Sequence, residues 1–258
     1  MADYKWTYAS IGGSTRVKIQ SGEDIRHLGE LDEKMWTVLS CPTVGLEIDE
    51  TSLKLIDTDN DGKLHVQEVV KAANWLCATL TNPDVLLKSE AQLNVADIAD
   101  ESIRSVAEKI ATDRVITLDA VRATIGAVTV EAQAVPEAPF SGEVIAAYKA
   151  CKDAYAQYFA TARMQTLGLA TLPADAAVPG MTEEDFNEMG KKIADYEAEK
   201  AAIEGANAKL LADAQAQYRP LEKLLLLTRD FYTLLRNYVS FQDFYAKRGK
   251  ALLGRGDA

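Results

Sequence analysis

The sequence is poor in the residues from which most hydrolytic and redox sites are built. It has two histidines, His27 and His65, and three cysteines, Cys41, Cys77 and Cys151, among 258 residues. The odd number, the wide spacings and the lack of a CxxC pair exclude zinc ribbons and thioredoxin-like motifs. We therefore expect free, buried thiols in a reducing compartment.

The short motifs of nucleotide-binding and hydrolytic enzymes are also missing. No Walker A, GxGxxG, GxSxG or HExxH pattern occurs. A nucleophile–histidine pair would have to use His27, because His65 lies within an acidic loop, and no neighbouring residue favours it. We predict that the protein is not an enzyme, and an enzyme with an unfamiliar site stays open as an alternative.

Positive charge and long apolar runs are scarce as well. Lys and Arg number 28 against 39 Asp and Glu, which gives a net charge of −11. Phosphate backbones and anionic membranes repel such a chain, so we predict no nucleic-acid partner and no membrane partner. The run Leu224 to Leu227 is too short to span a bilayer, and no apolar signal segment follows Met1. If Met1 is the natural start, the expected compartment is the cytoplasm.

What the sequence does contain is helical periodicity, so we predict a mainly α fold. The exception is a small N-terminal β-hairpin, because residues 4–9 and 15–20 alternate apolar and polar side chains around Gly12-Gly13. Apolar residues at helical spacing then predict a helix from Ser21 to Leu39, which Cys41-Pro42 ends.

The chain is expected to divide into two domains. Residues 1–130 would form the first, and residues 131–140, with two prolines and little periodicity, would form a linker. Residues 141–258 are typical of an antiparallel helical bundle, divided at Gly205 and Pro220. Leu221 to Phe231 is apolar on nearly every side, so we expect a protein partner, or further domains of a longer chain, to cover it.

One segment carries recognisable chemistry: Asp57-Thr58-Asp59-Asn60-Asp61-Gly62-Lys63-Leu64-His65-Val66-Gln67-Glu68, hereafter the acidic loop. Calcium is a hard cation that takes six to eight oxygen ligands, and a twelve-residue loop can present oxygens from fixed positions. Three carboxylates alternate at its start, and Gly62 follows where a sharp turn with positive φ is required.

With the apolar helices on either side, residues 49–80 resemble an EF-hand. The resemblance implies one Ca²⁺ bound by the carboxylates of Asp57, Asp59 and Asp61, the carbonyl of Lys63 and both oxygens of Glu68. Dockerin modules carry similar loops, but they come as duplicated pairs without the entering helix. Magnesium is the other rival, and a bidentate Glu68 favours calcium over the octahedral shell of magnesium.

EF-hands usually pair through a short strand at the eighth loop position, which is Leu64 here. The best partner is the segment 113–119, with Ile116 aligned to Leu64. Its first, third and fifth positions are then Lys109, Ala111 and Asp113, which cannot hold calcium. We predict a degenerate hand that pairs structurally, and an ordinary helix–turn–helix is the alternative.

The sequence specifies the ligands of the ion more clearly than the role of the ion. We expect calcium to stabilise a helical interaction scaffold, with a calcium sensor as the alternative. Calmodulin-like sensors expose Met-rich grooves, and none of the five methionines lies on the helices of the hand.

Overall fold

The computed structural model describes residues 4–239 except residues 12, 13 and 38, and it confirms a mainly helical fold. Its helices are α1 (Gly22–Arg26), α2 (Glu50–Ile56), α3 (Val66–Thr79), α4 (Glu101–Ile110), α5 (Leu118–Ala127), α6 (Gly142–Thr166), α7 (Glu183–Ala216) and α8 (Arg219–Leu234). Its strands are β1 (Thr7–Ile11), β2 (Ser14–Lys18), β3 (Ser40–Pro42), β4 (Lys63–His65), β5 (Gln92–Asn94) and β6 (Val115–Thr117). None of the described helices combines the length and the apolar content needed to cross a membrane.

The predicted N-terminal hairpin is confirmed. Strands β1 and β2 pair antiparallel, with Tyr8 opposite Val17. Val17 of β2 and Ile19 just after it are fully buried and anchor the hairpin to the core, whereas Tyr8 is exposed. The expected glycine turn at Gly12-Gly13 lies outside the described residues.

The continuous helix expected from Ser21 to Leu39 is wrong. Helix α1 ends at Arg26, and two 3₁₀ turns follow, Leu28–Glu30 and Glu33–Met35. The Asp32 side chain accepts a hydrogen bond from the Lys34 amide and so starts a new turn instead of continuing the helix. Four apolar residues of this segment are still buried despite the irregular backbone, Ile25, Leu28, Leu31 and Trp36, whereas Leu39 is exposed.

The expected pairing of Leu64 with Ile116 is also wrong. Leu64 pairs with Cys41 across β3 and β4, and Ile116 pairs with Leu93 across β5 and β6. Each strand therefore pairs with the strand that precedes the helix before it. This pairing closes a shorter loop than the expected one, and a shorter loop costs less entropy. The result is a strand–helix–loop–strand–helix arrangement that occurs twice, through β3, α2, β4 and α3 and then through β5, α4, β6 and α5.

Helix α8 completes the core around these two arrangements. The described residues up to Val128 and from Gln215 onward form one compact unit, and residues 129–214 form another. The buried apolar side chains that α8 contributes are Leu221, Leu224, Leu225, Leu226, Leu227, Phe231 and Leu234. This grouping differs from the expected domain over residues 141–258. A helix that is apolar all round must be surrounded, and α2, α4 and α5 contact α8.

The second unit contains an antiparallel pair of helices rather than a bundle. Ion pairs join Arg163 near the end of α6 to Glu183 at the start of α7, and Lys149 near the start of α6 to Glu197. Helix α7 runs without interruption through Gly205, so the expected division there is wrong. Two packed helices enclose little volume, and no residue of α6 is fully buried.

Candidate metal centre

Helix α2 leads into the acidic loop. Asp49 caps its first turn by accepting a hydrogen bond from the Thr51 amide at 2.8 Å. Leu53 and Ile56 bury one face of the helix. The helix ends at Ile56, so Asp57 is the next residue and its position is fixed by the packing of α2.

The backbone of the loop folds around its own carboxylates. The amides of Asp61 and Lys63 donate to the side chains of Asp59 (3.1 Å) and Asp61 (2.8 Å), and the Gly62 amide donates to Asp57 Oδ2 (3.1 Å). Gly62 has φ of 80°, the conformation that its position in the sequence predicted. These turns bring carboxylate oxygens of Asp57, Asp59 and Asp61 within 4.8 Å of one another.

Asp57 differs from the other two aspartates in its surroundings. It is 5% exposed, whereas Asp59 and Asp61 face solvent. Its Oδ1 atom is buried and accepts no hydrogen bond from the described residues. An unsatisfied charged oxygen in this environment costs free energy, and a cation between the three carboxylates would remove the deficit. The hard oxygen donors fit calcium or magnesium, so the residues present suit the predicted ion.

Glu68 is buried and bonded to the loop backbone. Its Oε1 accepts hydrogen bonds from the amide (2.6 Å) and hydroxyl (3.0 Å) of Thr58, and its Oε2 accepts one from the His65 amide (3.0 Å). Burial raises the pKa of Glu68, but these hydrogen bonds outweigh it and the net pKa is lowered. The carboxylate therefore stays ionised and closes the loop. It does not belong to the group of mutually close aspartates.

The remaining predicted ligand, Lys63, begins β4, and His65 ends this strand. Lys63 has an exposed side chain, so only its main chain could contribute a ligand. His65 Nε2 lies 3.0 Å from Asp61 Oδ2. This contact raises the pKa of His65 and lowers the pKa of Asp61. The imidazole thus engages one of the oxygens that a cation would use.

The corresponding connection in the second arrangement is shorter. Residues 111–114 join α4 to β6, whereas residues 57–62 join α2 to β4. Asp113 and Arg114 take positive φ values of 52° and 64° to make the turn. Asp113 is the one carboxylate in this connection, and Lys109 belongs to α4. The chain therefore assembles a group of three carboxylates in the first arrangement and a tight turn in the second.

Four residues beside the acidic loop form a contact group that the sequence did not predict, because two of them lie on α8. They are Asp49, Ser52, Arg229 and Asp230. The Arg229 guanidinium contacts Asp49 Oδ2 at 2.9 Å and Asp230 Oδ2 at 2.6 Å. The Ser52 hydroxyl donates to the same Asp230 oxygen. The hydrogen bond from Arg229 lowers the pKa of Asp49 to about 2, and the hydrogen bonds to Asp230 and then Asp49 raise the pKa of Arg229. Sequence separation of 180 residues between Asp49 and Arg229 leaves no local pattern that could reveal the contact.

No protein-family profile, curated protein or solved structure matches this chain. The functional assignment therefore depends on the loop itself and on the elements that hold it.

Proposed function

We propose that the protein is an EF-hand calcium-binding protein in which a single Ca²⁺ stabilises a helical interaction scaffold. The observation that carries the proposal is the buried, unpartnered Oδ1 of Asp57 beside two further carboxylates. A buried carboxylate oxygen without a donor is rare in folded proteins, because its desolvation is uncompensated. A divalent cation supplies the missing counter-charge.

The full ligand set would combine the aspartate group with Lys63 and Glu68. Both oxygens of Glu68 now accept hydrogen bonds from Thr58 and His65. Bidentate ligation by Glu68 would exchange some of these bonds for metal contacts, and the loop would tighten around the ion. Calcium is favoured over magnesium, since its larger shell tolerates such flexible geometry.

The position of α8 supports a structural role over a sensor role. Sensor EF-hands open an apolar groove when calcium binds. Here α8 of the same chain covers the apolar surface of the loop-bearing unit, the compact unit that contains the acidic loop. The leucines of α8 are fully buried. The apolar side chains of the second unit that remain exposed, such as Leu167 and Val178, suit contact with a protein partner. The buried free cysteines Cys41 and Cys77 suit the proposed cytoplasmic location.

Thermal unfolding in EDTA and in CaCl₂ tests the proposal. Calcium at about 100-fold over its dissociation constant should stabilise the wild type by about 2.7 kcal/mol. Glu68→Gln and Asp59→Asn should each remove this calcium effect. Glu68→Gln should also lower stability in EDTA, because Glu68 closes the loop. Asp59→Asn removes a ligand but leaves the hydrogen bonds of Glu68 in place, so it tests ligand loss alone.

Two results would contradict the proposal. If calcium does not stabilise the wild type, the acidic loop is not a calcium site. If melting of both variants stays calcium-dependent, the ion binds elsewhere. Dye binding and small-angle scattering decide between scaffold and sensor: a scaffold should give matching profiles with and without calcium, whereas a burst of dye binding on calcium addition would establish the sensor.

A further inference from the structure

We infer that α8 is a positioning element of the calcium site. Its residues Arg229 and Asp230 hold α2 in the place that delivers Asp57, so α8 docking and calcium binding strengthen each other. This inference rests on the proposed function and adds a regulation of the same site.

Helix α2 needs outside support to hold its position. It has seven residues, and helices of this length are not stable alone in water. Leu53 and Ile56 anchor one face in the core. Asp49 stands at one end of the helix and Asp57 at the other, so a constraint on the first turn is transmitted along a short rigid rod to the first ligand.

The contacts from α8 supply that constraint at two points. Arg229 binds Asp49 at the N-cap, and Asp230 accepts the hydrogen bond of Ser52 one turn further along. Ser52 is fully buried, and the side chains of Asp230 and Arg229 are 15% and 29% exposed. Charge-assisted hydrogen bonds that are partly shielded from water hold geometry better than exposed ion pairs. Arg229 also bonds to Asp230 through Nε, which orients its guanidinium towards α2.

The direction of the effect separates positioning from simple electrostatics. If Arg229 acted only through its positive charge, its removal would make the region more negative and calcium would bind more tightly. If it positions α2, its removal frees Asp57 to move, and the ordering cost of binding rises. The two explanations therefore predict opposite changes in calcium affinity.

Calcium titration calorimetry on full-length variants in about 0.15 M salt provides the test. Arg229→Gln should raise the Kd about threefold to tenfold. Ser52→Ala should raise it in the same direction without any change of charge. Arg229→Lys, which keeps the charge and one donor, should fall between wild type and Arg229→Gln.

Arg122→Gln is the matched control. Arg122 forms an ion pair with Glu222 of α8 at 3.2 Å, but from α5 and away from α2. Glu222 keeps Arg219 as a partner in this variant. The control should bind calcium with wild-type affinity, although it also removes one contact of α8. Circular dichroism in EDTA is used to choose a titration temperature at which every variant is folded.

A second readout addresses the reverse coupling, which linkage requires to be equal in free energy. Calcium should slow amide hydrogen exchange in α8 of the wild type, and Arg229→Gln should reduce this slowing.

Unchanged or tighter binding by both Arg229→Gln and Ser52→Ala would overturn the inference while leaving the proposed function intact. Equal weakening by Arg122→Gln would also overturn it, because the effect would then be general to α8 stability. A wild type that binds no calcium would overturn the proposed function and this inference together.

Discussion

Asp57 is the residue on which the site depends most. Its two oxygens differ: Oδ2 accepts a hydrogen bond from the Gly62 amide, whereas Oδ1 is buried and has no donor among the described residues. A carboxylate held in this way beside Asp59 and Asp61 destabilises the metal-free protein. The proposed cation would offset this cost, so Asp57 would trade stability without metal for affinity.

Asp57→Asn should therefore change stability in opposite directions with and without calcium. In EDTA we expect a gain of about 1 kcal/mol, because a neutral amide is cheaper to bury and its NH₂ can donate to a neighbouring carboxylate. In calcium the variant should lack the stabilisation that we propose for the wild type. Chemical denaturation in both buffers measures the two changes.

Asp113→Asn is the control for this substitution. Asp113 lies in the corresponding turn of the second arrangement, is exposed, and has positive φ, which Asn tolerates. We expect little change in either buffer. A loss of stability in EDTA for Asp57→Asn would show that its charge is compensated within the protein.

At the scale of elements, helix α7 shows how context decides the meaning of glycine. Gly190 faces α6, and a methyl group there would overlap the Tyr148 hydroxyl. At Gly205, no atom in the described part of the chain lies near enough to obstruct a methyl group. Both glycines weaken the helix to the same degree by propensity, but only Gly190 has a packing role.

Gly205→Ala should stabilise the second unit by about 1 kcal/mol, because alanine restricts the unfolded chain and favours the helix. Gly190→Ala should gain less or lose stability, since Tyr148 must move away from Phe186, with which it packs at 5.0 Å between ring centroids. Thermal melts of the two variants give the comparison. Equal gains would show that α6 does not approach α7 at Gly190.

At the scale of the whole molecule, the Asp49–Arg229 pair ties the start of the loop-bearing arrangement to a helix far along the chain. The folded pKa of Asp49 is about 2, below its ordinary value of 3.8. The folded protein therefore binds this proton less readily than the unfolded chain. The contribution of the pair is complete above pH 3.8 and is lost as the pH falls towards 2.

Asp49→Asn should lower stability by about 1 kcal/mol near neutral pH, after allowance for solvent screening of a partly exposed pair. Asparagine still caps α2, so only the charge is lost. The difference from wild type should shrink as the pH falls from 3.8 towards 2. Urea denaturation across this range measures it. A difference that does not change with pH would indicate that the cap, not the ion pair, had been damaged.

Local features of the structure were predictable from the sequence. The turn at Gly62 has the expected positive φ, and the caps at Asp49, Asp100 and Thr117 use residue types that favour helix starts. The grouping of the three aspartates follows from the same cause. Each of these depends on hydrogen bonds between residues a few positions apart, so the pattern is written within one segment.

The predictions that were wrong concern contacts between distant segments, where several segments compete for the same partner. Both Cys41 and Ile116 are apolar strand residues that could pair with Leu64, and chain closure selected Cys41. The apolar segment Leu221 to Phe231 must be covered by other elements, and the sequence could not show which part of the chain covers it.

A mainly helical chain and an acidic loop with converging carboxylates were predictable from the sequence alone, because short-range spacing and capping suffice for both. Three further features emerge only in the folded chain: which strands pair, the packing of α8 into the core beside the acidic loop, and the contacts of Arg229 and Asp230 with α2. These contacts join residues far apart in the chain, and their free energy comes from burial and charge pairing that exist only once the segments meet.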